Sequence, residues 1–191
     1  MNKEKNKNIW SLNIPVKNIN NDKEIKEYFN ICKEKLGIVP NIIRANSINK
    51  KRFTAFNIFY NRLMLDENYL NKIEKEMIAV VVSSINRCLY CCVSHSYNLG
   101  KLLKDTILSK KILINYKTAN LLKKQEAMLD FSTKLTLQSS LIDENDRNML
   151  RKKKYSEQQI LEIIEVVSFF NMTNRIASGT NMIPNEEYYR L

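Results

Sequence analysis

Three glycines and three prolines are all that 191 residues contain. A sheet-rich fold joined by tight hairpins draws on many more of both, because chain reversals and positive-φ turns favour them. So small a supply points to long elements joined by few turns, and the apolar spacing agrees. From Lys23 to Leu36, Ile25, Tyr28, Phe29 and Cys32 follow helical spacing, with Gly37 and Pro40 as the stop. Asn41–Asn49 gives a short helical stretch, and Lys51–Leu65 a stronger one with Phe53, Phe56, Tyr60, Leu63 and Met64 on one stripe. Leu70–Ile85 starts amphipathic and becomes the run IAVVVSSI, apolar all round, as in a segment buried on several sides. Further helices are expected over Cys88–Leu108, Tyr116–Leu137 and Asp143–Lys153. A last one opens with the capping box SEQQ at Ser156–Gln159 and runs to about Asn174. The fold class is all-α.

The length allows a sizeable core, and 44% hydrophobic residues suit a globular chain. The first twenty residues are polar and irregular, with a turn signal in IPVKNINND, and are expected to form an arm. Residues 21–191 are expected to form a single helical domain. One internal echo appears: VVSSIN at Val81–Asn86 recurs as VVSFFN at Val166–Asn171, a hint of two related helical units.

The net charge of +11 invites a nucleic acid or an anionic membrane as partner. The lysines are scattered, however, and the densest run, RKKKY at Arg151–Tyr155, follows the acidic Asp143, Glu144 and Asp146. A solvated surface accounts for this better than a nucleic-acid partner. No apolar run approaches the ~20 residues that span a bilayer, and MNKEKNKNIW lacks a secretory core, so a cytoplasmic setting is expected, with an unusual organellar leader as the alternative. In a reducing compartment, clustered cysteines stand for metal binding or redox chemistry more than for structural disulfides.

Such a cluster exists. NRCLYCCVSH holds three of the four cysteines and the only histidine. On a helix, Cys88 and Cys91 share a face, and His95 stands one turn above Cys91. A Cys-x-x-Cys pair in a first turn can close a disulfide or share one proton between its sulfurs. If Asn86 caps the helix, backbone N–H groups and the dipole stabilise a thiolate there, moving a thiol from about 8.5 to roughly 3.5–7.5, and Arg87 adds positive charge. His95, with an ordinary pKa of about 6.5, can take and return a proton. The acid completing a relay is Glu76, with Glu74 two residues before it and not separated from it by spacing. Cys92 is set aside as a supporting or structural thiol, and Cys32, on an apolar helix face, as a packed core thiol.

The stretch EKEMIAVVVSSINRCLYCCVSH resembles the signature of the alkyl hydroperoxidase D-like family, related to the carboxymuconolactone decarboxylases. Its pattern is Glu, eleven residues, Cys-x-x-Cys, three residues, His, met here by Glu76, Cys88, Cys91 and His95. GIVPNIIRANSINKKRF at Gly37–Phe53 and FFNMTNRIASGTNMIP at Phe169–Pro184 are similar to flanking segments of the peroxidase-related branch, so the resemblance covers about residues 35–190. It implies an all-helical fold of related units, assembly as a homo-oligomer, and a redox-active Cys88–Cys91 pair served by Glu76 and His95. It also implies reduction of a peroxide with electrons from a thiol donor, a lipoyl group or a thioredoxin-like protein. The expected function is a thiol-dependent peroxidase or disulfide reductase, with no metal or organic cofactor. In the best-known branch a second histidine precedes the second cysteine. Here Tyr90 stands there, a phenol of pKa about 10 and a poor proton acceptor at neutral pH. Cys92 is a second departure and offers a spare resolving thiol. Which of Cys88 and Cys91 attacks stays open: proximity to His95 favours Cys91, helix-end position favours Cys88. The rival functions are a non-catalytic redox sensor or scaffold of the same fold, and a zinc protein using Cys88, Cys91, Cys92 and His95. Zinc is disfavoured because four ligands within eight helical residues point poorly at one ion.

Overall fold

The all-round apolar run becomes the central helix. In a computed structural model, which describes residues 8–14, 22–66 and 69–189, this helix (α4, Lys72–Ile85) buries Met77 through Val82 almost completely. Before it come α1 (Lys23–Leu36), α2 (Asn41–Asn46) and α3 (Lys50–Tyr60), the last running on into a wider π turn at Asn61–Leu65. After it come α5 (Leu89–Leu103), α6 (Thr106–Asn115), α7 (Lys123–Leu137), α8 (Glu144–Lys152) and α9 (Glu157–Gly179). The described residues contain these nine α-helices and no strand, so the molecule is all-α. Helices α5, α6, α7 and α9 surround α4, and their apolar faces close one core that includes Leu99, Ile112, Met128, Leu129, Ile163 and Phe170.

Local chemistry sets most helix ends. Asp22 caps α1 by accepting from the backbone N–H groups of Glu24 and Ile25. Gly37 closes it at φ 75°, a left-handed position that glycine takes without strain. Asn71 and Glu74 form a reciprocal capping box at the start of α4, and Ser156 and Gln159 form the expected one at α9.

Three boundaries differ from the sequence reading. The stretch expected as one helix over Cys88–Leu108 is two, because Lys104 adopts a left-handed φ of 53° and Asp105 caps α6 by accepting from Leu108 N–H. The bend is tight: a Cβ on Gly100 would lie 3.0 Å from Ser109 Oγ. The stretch Tyr116–Leu137 begins with a single 3-10 turn and a link, and α7 starts only at Lys123, because Asn115 ties its side chain to Lys117 N–H and Asn120 turns left-handed. Helix α9 continues past Asn174 to Gly179.

Within the first twenty residues, read as a polar arm, the described stretch 8–14 is packed rather than free. Ile9 and Trp10 are buried, Ser11 N–H donates to Thr180 O, and Ile183 N–H donates to Ile9 O. Two large apolar side chains outweigh the polar residues around them. The turn expected in Ile14–Asp22 lies, apart from its two ends, outside the described residues.

Candidate active site

The turn between α4 and α5 places the cysteines. Asn86 closes α4 by donating its N–H to Val82 O; Arg87 turns left-handed at φ 51°; Cys88 N–H then donates to Ser83 O at 3.0 Å. The N-cap of α5 is therefore Cys88 itself and not Asn86, with Cys91 in the first turn beneath it. The side chain of Asn86 is engaged elsewhere, with Asn171 and Asn174.

This geometry splits the two thiols. The Cys88 thiol is pulled down to about 6, first by the Cys91 thiol donating to it, against its own burial, then by the Cys91 backbone N–H, the Ser178 hydroxyl and the charge of His95. Cys91 moves the opposite way, raised first by its hydrogen bond to Cys88 and then by burial. The pair thus shares one proton, and its ionisation belongs to both sulfurs. Arg87 is exposed, and these nearer groups take the part expected of it. Cys92 is pushed up to about 11 by burial and the charge of Cys88, so it stays protonated at neutral pH. Burial likewise raises the Cys32 thiol.

Glu76 and His95 meet. His95 Nδ1 lies 2.8 Å from Glu76 Oε2, both side chains nearly buried, and the imidazole stands edge-on to Phe170 with ring centroids 4.6 Å apart. A carboxylate only accepts, so Nδ1 donates, which leaves Nε2 as the ring nitrogen available for proton exchange. The ambiguity between the two acids resolves by position: Glu74 is held in the capping box at Asn71, while Glu76 turns inward.

Cys91, His95 and Glu76 line one cavity of about 570 Å³, and Cys88 lies behind Cys91, off its wall. Most of the remaining wall is apolar or aromatic, including Phe56, Phe169 and Phe170, and the exposed Ile31, Leu36, Leu65 and Leu102 rim it with Lys35 and Lys101. Tyr60 and Tyr188 also face it; burial, and next the charge of Glu76, raise both phenols far above their ordinary value, so they remain hydrogen-bond donors. Tyr90 is occupied: its hydroxyl accepts from Ile42 N–H at 3.1 Å and ties α5 to α2. A groove of similar volume, about 590 Å³, between α3 and α9 holds none of the four signature residues. Among the described residues, no three His, Cys, Asp or Glu side chains gather as ligands of one metal ion, and no helix is long and apolar enough to cross a membrane.

The four residues of the signature are therefore brought together, three on the cavity and one behind it. Spacing gave no sign of Tyr60, Tyr188, Ser178 or Asn174. The last two lie in FFNMTNRIASGTNMIP, a segment marked by its likeness to flanking sequence but given no role.

Residues 52–102, which contain all four, match the carboxymuconolactone decarboxylase family. A peroxidase-related protein from Silicibacter sp. TM1040 is 44% identical over 98% of both chains and superposes with a TM-score of 0.92. A second peroxidase-related protein, described as an alkylhydroperoxidase AhpD core, from Ralstonia eutropha JMP134, is 31% identical over 97% of both chains, with a TM-score of 0.91. The debrominase Bmp8 shares the fold at 18% identity, over 88% of this chain and 89% of its own, with a TM-score of 0.75. No curated protein matches the chain.

Proposed function

The chain belongs to the carboxymuconolactone decarboxylase family, in its AhpD-like, peroxidase-related branch, and from that premise we propose that it is a thiol-dependent peroxidase acting on organic hydroperoxides. The observation that carries this reading is the buried Glu76–His95 pair facing the same cavity as Cys91, with Cys88 stored behind.

Access, more than acidity, assigns the roles, since Cys91 is the sulfur on the cavity wall. Cys91 gives its proton to Nε2 of His95, whose other nitrogen is anchored on Glu76. The thiolate attacks the terminal peroxide oxygen, the O–O bond breaks, and His95 returns the proton to the departing alkoxide. Cys91 is then a sulfenic acid. The acidic Cys88 thiolate attacks its sulfur, hydroxide leaves as water with one further proton, and the disulfide closes. A dithiol donor restores both thiols by exchange, so one hydroperoxide and two thiol hydrogens give one alcohol, one water and one disulfide. The protonated phenols of Tyr60 and Tyr188 supply hydrogen bonds to the peroxide oxygens, and the apolar wall suits a substrate with a hydrocarbon body. A lipoyl group or a thioredoxin-like protein as donor, and assembly as a homo-oligomer, belong to the same proposal.

The test is consumption of an organic hydroperoxide in the presence of dihydrolipoamide, with the thiols mapped by mass before and after. Cys88→Ser and Cys91→Ser should each abolish turnover, and His95→Gln or Glu76→Gln should slow it about 10²–10⁴-fold. Near-normal turnover by either serine variant would sink the assignment. The fold shared with a debrominase, one variant of which binds 2,3,4-tribromopyrrole, supports a second reading in which the same dithiol reduces an aryl bromide to the arene and bromide. The same assay with that pyrrole, read by bromide release, separates the two.

A further inference from the structure

The peroxide chemistry uses only part of the cavity, the part that holds Cys91, His95 and Glu76. Two helix faces carry the wall from buried residues out to the rim. On α5, Cys91, His95, Asn98 and the adjacent Lys101 and Leu102 follow at three- and four-residue intervals, one face of the helix. On α1, Tyr28, Cys32 and the adjacent Lys35 and Leu36 do the same. Both faces end alike. Each finishes in the last turn of its helix on a lysine followed by a leucine, all four of them exposed.

The charge on this wall has one sign at the rim. Among the described residues, Lys35, Lys72 and Lys101 line the cavity, and Glu76 is the single carboxylate that does. Glu76 is already engaged, 2.8 Å from His95 Nδ1. Lys101 is held in place: its Nζ stands 4.7 Å from the centroid of the Tyr97 ring, and Tyr97 packs edge-on against the wall residue Tyr188 with centroids 5.3 Å apart. Much of the remaining wall is hydrocarbon or aromatic, including Ile42, Met64, Phe169 and Phe170. Along the α5 axis, Lys101 lies about 15 Å beyond Cys91, the rise of ten residues. A molecule that spans this distance meets a thiol at one end, apolar surface along its body and cations at the other end.

We propose that the cavity takes hydroperoxides of long-chain carboxylic acids, with the hydroperoxide at Cys91, the hydrocarbon chain on the apolar wall and the carboxylate at Lys35 and Lys101. This substrate class rests on the peroxidase reading. The reaction is the one given there: two electrons from the Cys88–Cys91 dithiol break the O–O bond, and the hydroxy acid of the same chain leaves with one water. Lysine suits the rim because a point charge on a flexible stem accepts a carboxylate from several directions, so chains of different length can be held. An esterified or uncharged hydroperoxide meets the same apolar wall but offers the cations nothing.

The test begins with ligands that carry no O–O bond. Linoleic acid and its methyl ester are titrated into the reduced protein by calorimetry, below the concentration at which either aggregates. The acid should bind about tenfold more tightly, the worth of two ion pairs at a solvated rim, and the preference should shrink at high salt. Lys35→Gln combined with Lys101→Gln should bring acid and ester level, and Lys35→Glu combined with Lys101→Glu should favour the ester. With dihydrolipoamide as reductant, the same ratios should appear in kcat/KM for linoleic acid hydroperoxide over its methyl ester. Equal binding of acid and ester by the unaltered protein overturns the proposal, and so does a preference that both double variants keep. A cavity that was merely loosened would weaken both ligands alike and leave their ratio unmoved. Cumene hydroperoxide separates this proposal from the reading beneath it. Its consumption without any acid preference overturns the carboxylate assignment alone, whereas lysine-dependent acid binding with no hydroperoxide consumed overturns the peroxidase reading and leaves the carboxylate site standing.

Discussion

Cys88 and Cys91 are the same residue type three positions apart, and their surroundings give them opposite acidities. The lowered member is a thiolate above about 6, and its largest support is the Cys91 thiol that donates to it. The sign of the pH dependence follows: reaction of the pair with a small thiol reagent should be half-maximal near pH 6, fall about tenfold per unit below it, and level off above. Replacing Cys91 by Ala removes both the thiol donor and its proton, so the midpoint should climb toward the ordinary thiol range. Stopped-flow modification by methyl methanethiolsulfonate across pH 4–10 checks both, and a midpoint above 8 in the unaltered protein would refute the assignment. Spacing was enough to pick out Cys88, Cys91 and His95, which lie at helical intervals from one another, and the family pattern added Glu76. It could not choose between Glu74 and Glu76, because that choice depends on which face of α4 turns inward and on Asn71 taking Glu74 into a cap. Nor could it rank the sulfurs, since Cys91 reaches the cavity and Cys88 does not only once α9 and α1 have closed around them.

At the scale of elements, the join between α4 and α9 relies on a pair the sequence conceals. Lys75, flanked by two glutamates in EKEM, looks like part of a solvated charged turn. Its ammonium is instead fully buried, 2.9 Å from Glu162 Oε1 and donating to Asp66 O, while Glu162 Oε2 accepts Leu70 N–H at 2.6 Å. The pair fastens the entrance of α4 to α9 immediately beside Glu76. Lys75→Met should cost about 3–5 kcal/mol in urea unfolding, because it strands a buried carboxylate, whereas Lys75→Met with Glu162→Leu should recover most of that loss. A single variant as stable as the parent would show that Glu162 is not held in the interior. Helix existence was legible because the apolar stripes are strong, but the break at Lys104–Asp105 was not. LLKDTILSKK continues a helical pattern without Gly or Pro, and its interruption depends on a lysine held left-handed by the packing of α5 on α6.

Across the whole molecule, described stretches near the amino and carboxyl termini converge on the signature cysteines. Ile9 and Trp10 pack in one cluster with Cys88, Tyr90, Cys91, Ala177 and Met182, and the backbone of 9–11 pairs with Thr180 and Ile183. The charge that invited a nucleic-acid reading is spent in part on local pairs, with Arg151 of RKKKY bonded to both Glu144 and Glu157. A packed amino-terminal stretch was hidden by its polar neighbours, since the two residues it buries, Ile9 and Trp10, are adjacent and carry no periodicity. Its position makes the protein its own reporter. Trp10 is the only tryptophan, and a disulfide is a far better electron acceptor from an excited indole than a pair of thiols is. Emission should therefore fall as Cys88 and Cys91 join, in step with the mass-mapped disulfide, and return on adding dithiol. Cys88→Ser should stay silent, and Trp10→Ala should lose the signal along with about 3–5 kcal/mol of stability. A disulfide seen by mass with no change in emission would mean that Trp10 does not rest against these sulfurs, and its packing in the cysteine cluster would then be refuted.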